Sequence, residues 1–177
     1  MHRKPWGTTS RTWVVVAVLG LSACGSTTDD APAYVANWTT QATINAGGSS
    51  ETGGILLPIQ RTDTNVIELQ GFCSDTDIYA SGPVADVTTN GFTIRPGSCS
   101  FSSTACSTGN FSFAWTSGSG TLSNGQLTGS FSGTVSCSTV SVTYTITFTS
   151  TSKVAYGSSE TAHGSHGLAE ALRLLQK

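Results

Sequence analysis

The sequence predicts an all-β protein: an eight-stranded antiparallel up-and-down meander closing as a small barrel, with a short C-terminal helix or tail. A two-sheet β-sandwich is the alternative. Two observations carry this. Apolar and polar residues alternate with a period of two over long stretches, as in "VSVTYTITFT" from Val140 to Thr149, and that period marks strands with one buried and one wet face. Asn90-Gly91 and Asn124-Gly125 stand between such stretches, and Asn-Gly suits the positive φ angles of a two-residue hairpin turn.

The chain begins differently. His2, Arg3, Lys4 and Arg11 precede an apolar run from Trp13 to Ala23. A spanning helix needs about 20 apolar residues, so this shorter run with its basic flank reads as a secretory signal over 1–23. The run ends in "LSAC", Leu21 to Cys24. That tetrapeptide resembles the bacterial lipobox, a branched apolar residue and two small residues before a cysteine. The resemblance covers the first two dozen residues. It implies cleavage before Cys24 and diacylglyceryl attachment to its thiol, with acylation of the new N-terminus. Gly25 and Ser26 follow with no aspartate, which by the same resemblance implies sorting to the outer membrane. Residues 24–33 are then the lipidated cysteine and a polar, flexible tether.

Strands are expected at 34–44, 54–60, 65–72, 77–88, 92–97, 110–122, 126–135 and 140–150, within a β domain spanning 34–155. Tyr34, Ala36, Trp38, Thr40, Ala42 and Ile44 share one face of the first strand. Pro58 and Pro83 mark their strands as edge-like or broken, since proline lacks the ladder donor. Phe111, Phe113 and Trp115 share one face of the sixth, and Gly118 and Gly120 suggest a bulge further along it. Leu127, Gly129, Phe131, Gly133 and Val135 point inward from the seventh; Val140, Val142, Tyr144, Ile146 and Phe148 do so from the eighth. Eight strands put the first and last antiparallel and able to pair. Closure encloses room for side chains or one small ligand, and it removes edges that few lysines guard. The inward glycines, with Ala36 and Ala42, suggest a partly open interior. Residues 156–177 form a tail. In it Ser165 is placed to cap a short helix with Leu168, Leu172 and Leu175 on one stripe.

Charged residues make up only 10% of the chain, against about 25% in an average domain. Without residues 1–23, five basic and ten acidic side chains remain, a formal charge of 5 − 10 = −5. The basic residues are Arg61, Arg95, Lys153, Arg173 and Lys177, too scattered for phosphate binding, so nucleic acid is excluded as a partner.

Strand parity places the links at 73–76, 98–109 and 136–139 at one pole, bringing together Cys73, Cys99, Cys106 and Cys137. An even cysteine count in an exported chain implies disulfides. Bridged Cα atoms lie within about 7 Å, and Cys73–Cys137 would have to cross the mouth. Of the three pairings four cysteines allow, this disfavours Cys99–Cys106 with Cys73–Cys137; the expected bridges are Cys73–Cys99 and Cys106–Cys137, which join neighbouring loops. No closely spaced Cys pair of the zinc type is present.

The histidines are His2, His163 and His166, so the β domain holds no imidazole for a Ser-His or Cys-His pair. Asp75 and Asp77 form the densest carboxylate pair, with Glu51, Asp63, Glu68 and Asp86 elsewhere. Turn formation accounts for Asp-x-Asp better than calcium or glycoside chemistry. Asn37 in "NWT" and Asn110 in "NFS" match the glycosylation pattern only by coincidence in a bacterial export context. His163 and His166 read as solvated tail residues. The expectation is a non-enzymatic, membrane-anchored lipoprotein with a structural or binding β domain, without catalytic residues, cofactor or metal. A lipocalin-like carrier of a small hydrophobic ligand is the alternative, and a hydrolase ranks third.

Overall fold

A computed structural model describes residues 28–74, 76–102, 106 and 109–155. The expected signal segment, Cys24, the first part of the tether, Asp75 and the tail from 156 lie outside the described residues. The described chain is all-β, with strands β1 (Ala36–Ala46), β2 (Ser49–Asp63), β3 (Val66–Leu69), β4 (Val84–Thr88), β5 (Gly91–Ile94), β6 (Gly97–Ser102), β7 (Asn110–Ser123), β8 (Gln126–Cys137) and β9 (Val140–Val154).

Every pairing is antiparallel, in the order β5-β4-β3-β2-β1-β9-β8-β7-β6, and β5 also pairs with β7. That last pairing closes a ring of eight strands. β5 and β6 share one register against β7: Phe92 lies opposite Gly120, and five residues further along each strand Gly97 lies opposite Trp115. They are one strand interrupted at Arg95-Pro96, where proline removes a ladder donor. Arg95 still donates its N–H to Val84 O at 2.8 Å, so the first half belongs to the ring. The second half runs on along β7 alone.

Three elements differ from the sequence reading. The expected link at 98–109 contains β6. The expected strand 77–88 is reduced to β4, and residues 70–83 form a loop rich in turn residues. β2 begins at Ser49, five residues before the expected start, because pairing with β1 extends through Ala46↔Ser49. Pro58 is accommodated within β2. Its carbonyl accepts Gln70 N–H at 2.9 Å, so its missing donor faces the side on which β3 begins to pair only at Ile59. The bulge in β7 falls between Trp115 and Ser117 and not at Gly118 and Gly120, which pair in regular register with Phe131 and Gly129. Asn124 and Gly125 both take positive φ, 50° and 76°, and form the β7–β8 hairpin as the dipeptide predicts.

One pole of the ring carries the chain's approach to β1, the turns at 64–65, 89–90 and 124–125, and the end of β9. We call it the N-terminal pole. The other, bridged pole carries the β1–β2 turn, the loop 70–83, the β6–β7 link and the β8–β9 turn.

Residues 28–33, expected within the tether, are held against the domain. Asp30 N–H donates to Asn65 Oδ1 at 2.7 Å, Asn65 N–H to Asp29 Oδ1 at 2.9 Å, and Asn65 Nδ2 to Thr28 O at 3.0 Å. Arg61 pairs with Asp29 at 2.7 Å. Ala31, in a 3-10 turn over Ala31–Ala33, is fully buried. Tyr34 follows with its ring edge-on to Phe92 at 5.6 Å, and burial raises its hydroxyl pKa. The polar composition of 25–33 concealed this docking, since its partners are the turn residue Asn65 and two distant basic side chains, Arg61 and Lys153.

The interior is aromatic. Phe113, fully buried, stacks on Tyr144 at 4.7 Å and neighbours Trp115, Phe131 and Phe72 at 5.9 to 6.4 Å. The inward glycines do not leave space. Each receives the side chain of the residue directly opposite: Gly120 that of Phe92, Gly97 that of Trp115, Gly129 that of Phe148 and Gly133 that of Tyr144. A Cβ on Gly97 would stand 2.7 Å from Trp115 Cζ2, and one on Gly133 would stand 2.7 Å from the Tyr144 hydroxyl and collide with Ala114 O. Gly133→Ala should therefore destabilise the domain by about 1–3 kcal/mol through overpacking, measured by urea denaturation; an unchanged midpoint would show that the seat is roomier than described.

Candidate functional site

The four disulfide cysteines and the loop 70–83 gather at the bridged pole. The loop 70–83 leaves β3, crosses that end of the ring and returns as β4. Its ends are tied by Gly71 N–H to Ala80 O at 2.7 Å and Cys73 N–H to Ser81 O at 3.0 Å. Gly82 N–H donates to Glu68 Oε1, and Gln60 Nε2 donates to Glu68 Oε2, so this carboxylate braces the loop against β2 and β3. Phe72 turns inward and meets Phe131 edge-on at 5.1 Å. The loop thus closes the ring's mouth with a ring of its own.

Two disulfides fix this pole. Cys73 joins Cys99 with Cα atoms 5.8 Å apart, and Cys106 joins Cys137 at 5.6 Å. The first ties the loop 70–83 to β6; the second ties the β6–β7 link to the end of β8. Cys99 sits on a strand, not in a link, but β6 runs toward the same pole. The parity argument survives the extra strand for that reason.

Asp63, Asp77 and Asp86 each go to a local partner. Asp77 Oδ1 accepts Tyr79 N–H at 2.9 Å, and Ser74 Oγ accepts Thr76 and Asp77 N–H, which is turn formation. Asp63 Oδ1 accepts Thr64 N–H. Asp86 holds Arg95 through two hydrogen bonds of 2.9 and 2.6 Å, and that contact lowers its pKa. Glu51 lies exposed on β2. Among the described residues no group of three or more His, Cys, Asp or Glu side chains comes together as a metal site, and no helix is long and apolar enough to cross a membrane. His163 and His166 lie outside them.

Of the two glycosylation-pattern asparagines, Asn37 is buried at 1% exposure, its Nδ2 donating to Tyr79 Oη at 3.2 Å beneath the loop. Asn37 Oδ1 and Trp115 Nε1 are buried polar atoms without a partner among the described residues. Asn110 is exposed at the start of β7.

One feature was not legible residue by residue. The outward hydroxyls align into rows across the sheet. Thr52, Thr43, Thr147, Ser130, Ser119 and Thr93 occupy consecutive cross-strand positions on six strands. Some pair directly, Thr43 with Thr52 at 2.7 Å and Ser132 with Thr145 at 3.0 Å. Such pairs contribute about 0.2–1 kcal/mol each. From Thr52 to Thr93 the row presents donors and acceptors without charge, and it ends beside Asp86 on β4. Only strand register, which no single segment encodes, brings them into line.

No protein-family profile matches the chain, and no curated protein matches it. A similar solved structure is that of a candidate outer membrane protein from Bacteroides fragilis NCTC 9343, with 18% sequence identity and a TM-score of 0.41. The match covers 68% of this chain, which spans about half the length of that one, 52%.

Proposed function

We propose that this protein is an exported bacterial lipoprotein whose β domain serves a structural or binding role in the cell envelope, without catalytic activity of its own. The lipobox "LSAC" ending at Cys24, after a basic flank and a short apolar run, carries the proposal. Two disulfides suit an oxidising compartment. Asp29, Asp63, Asp77 and Asp86 are engaged in turns and ion pairs, and the sequence from 28 to 155 contains no histidine, which supports a non-enzymatic reading. Aromatic side chains seated on the inward glycines favour a packed interior over a chamber for a hydrophobic cargo.

Cys24 is the residue on which membrane attachment depends. Several acyl chains hold a protein at a bilayer effectively permanently, at about 0.8 kcal/mol per buried CH₂. In a bacterial host the full-length chain should sediment with membranes, while Cys24→Ala should move it to the soluble or uncleaved precursor pool. Fractionation with immunoblotting reads this. A Cys24→Ala chain that is cleaved and still membrane-bound like the wild type would overturn the proposal.

A further inference from the structure

We infer that the N-terminal pole lies against the lipid surface and that the bridged pole, with its disulfides and the loop 70–83, is held away from it. The inference rests on the anchoring of Cys24 proposed above. What is new is the orientation, and it follows from a length.

The domain takes hold of the chain at Thr28. Asn65 holds Thr28 O and both neighbouring aspartates, Arg61 holds Asp29, and Lys153 Nζ donates to Ala33 O at 3.0 Å while lying 5.0 Å over the Trp38 ring. Between the acylated cysteine and this grip stand only Gly25, Ser26 and Thr27. Four residue steps at roughly 3.3–3.6 Å each reach about 14 Å at most. β7, with 14 residues, is about 46 Å long at roughly 3.3 Å per residue, or about 35 Å along the ring axis at a typical tilt of ~40°. The leash is shorter than the domain. The domain cannot turn over on it to set the bridged pole against the headgroup layer.

Electrostatics neither drives nor opposes the contact. Asp29, Asp30, Asp63 and Asp86 share the N-terminal half of the ring with Arg61, Arg95 and Lys153, and two ion pairs of 2.7 and 2.6 Å tie them together. With charges so nearly balanced, contact is imposed by the short leash and is insensitive to salt, unlike adsorption through a basic patch.

The test uses the full acylated chain in phosphatidylcholine vesicles carrying a headgroup spin label. A fluorescent amino acid is placed at Thr89, exposed at the N-terminal pole, or at Thr139, exposed at the bridged pole. Quenching should be several-fold stronger at position 89 than at 139, and equal in low and high salt. Inserting 20 Gly/Ser residues between Thr27 and Thr28, a coil of about 25 Å r.m.s. length, should largely erase the difference. Equal quenching at both positions in the acylated chain, or stronger quenching at 139, would overturn the orientation while leaving the anchor intact. A difference that survives the insertion would overturn the leash as its cause. An intact mass without acyl chains would instead remove the anchor, and the orientation with it.

Discussion

Replacing Phe113 by alanine should cost the domain about 3–5 kcal/mol, the range for removing a fully buried aromatic ring. Phe113 has no exposed surface and its ring contacts four others, those of Phe72, Trp115, Phe131 and Tyr144. These come from three strands and from the loop 70–83, so one truncation opens a cavity that no single neighbour can fill. Tyr144 is further constrained. Its hydroxyl donates to Ala114 O at 2.9 Å, and burial raises its pKa well above the usual tyrosine value. Urea denaturation followed by tryptophan fluorescence measures the loss. Thr147→Ser, on the exposed hydroxyl face, serves as control and should change stability by less than about 0.5 kcal/mol. A Phe113→Ala loss as small as the control's would mean the interior is not packed as described.

Removing a disulfide should have an effect of similar size. The bridges close segments of 26 and 31 residues, and chain entropy alone gives each about 3.5 kcal/mol. The two should not behave alike. Cys106→Ser with Cys137→Ser releases the β6–β7 link and should come close to that figure. Cys73→Ser with Cys99→Ser also releases the loop that carries Phe72 into the core, so its cost should be the larger. Denaturation of both double variants beside the wild type checks this. Equal losses would show that Phe72 stays seated without its neighbouring bridge.

How much of this was written in the chain locally can be judged from particular segments. β7, β8 and β9 were legible because bulky inward residues alternate with hydroxyl residues outward, a pattern only a half-buried strand produces. β6 was not, because Gly97–Ser102 follows a proline and holds just two inward side chains, Cys99 and Phe101. The first half of β2, "SSETGG", contains no apolar residue at all and is a strand only because β1 pairs with it. Ile78 and Tyr79 are residue types that favour strands, yet Asp77 and Ser74 use their side chains to close turns. The glycine seats depend on register. Gly133 looks like empty space until Tyr144 is placed opposite it. The cysteine pairing was accessible because strand parity puts all four cysteines at one pole and strand order makes the bridged segments neighbours there. Cys24 was the clearest chemical signal in the sequence, resting on a four-residue motif and its flanks.

Intact-mass spectrometry of the full-length chain, purified from bacterial membranes without reductant, tests the account most directly. The account predicts a chain beginning at Cys24, heavier by a diacylglyceryl group and an N-terminal acyl chain, and lighter by the four hydrogens lost in forming two disulfides. A mass that retains residues 1–23, carries no lipid and shows four free thiols beyond Cys24 would contradict it.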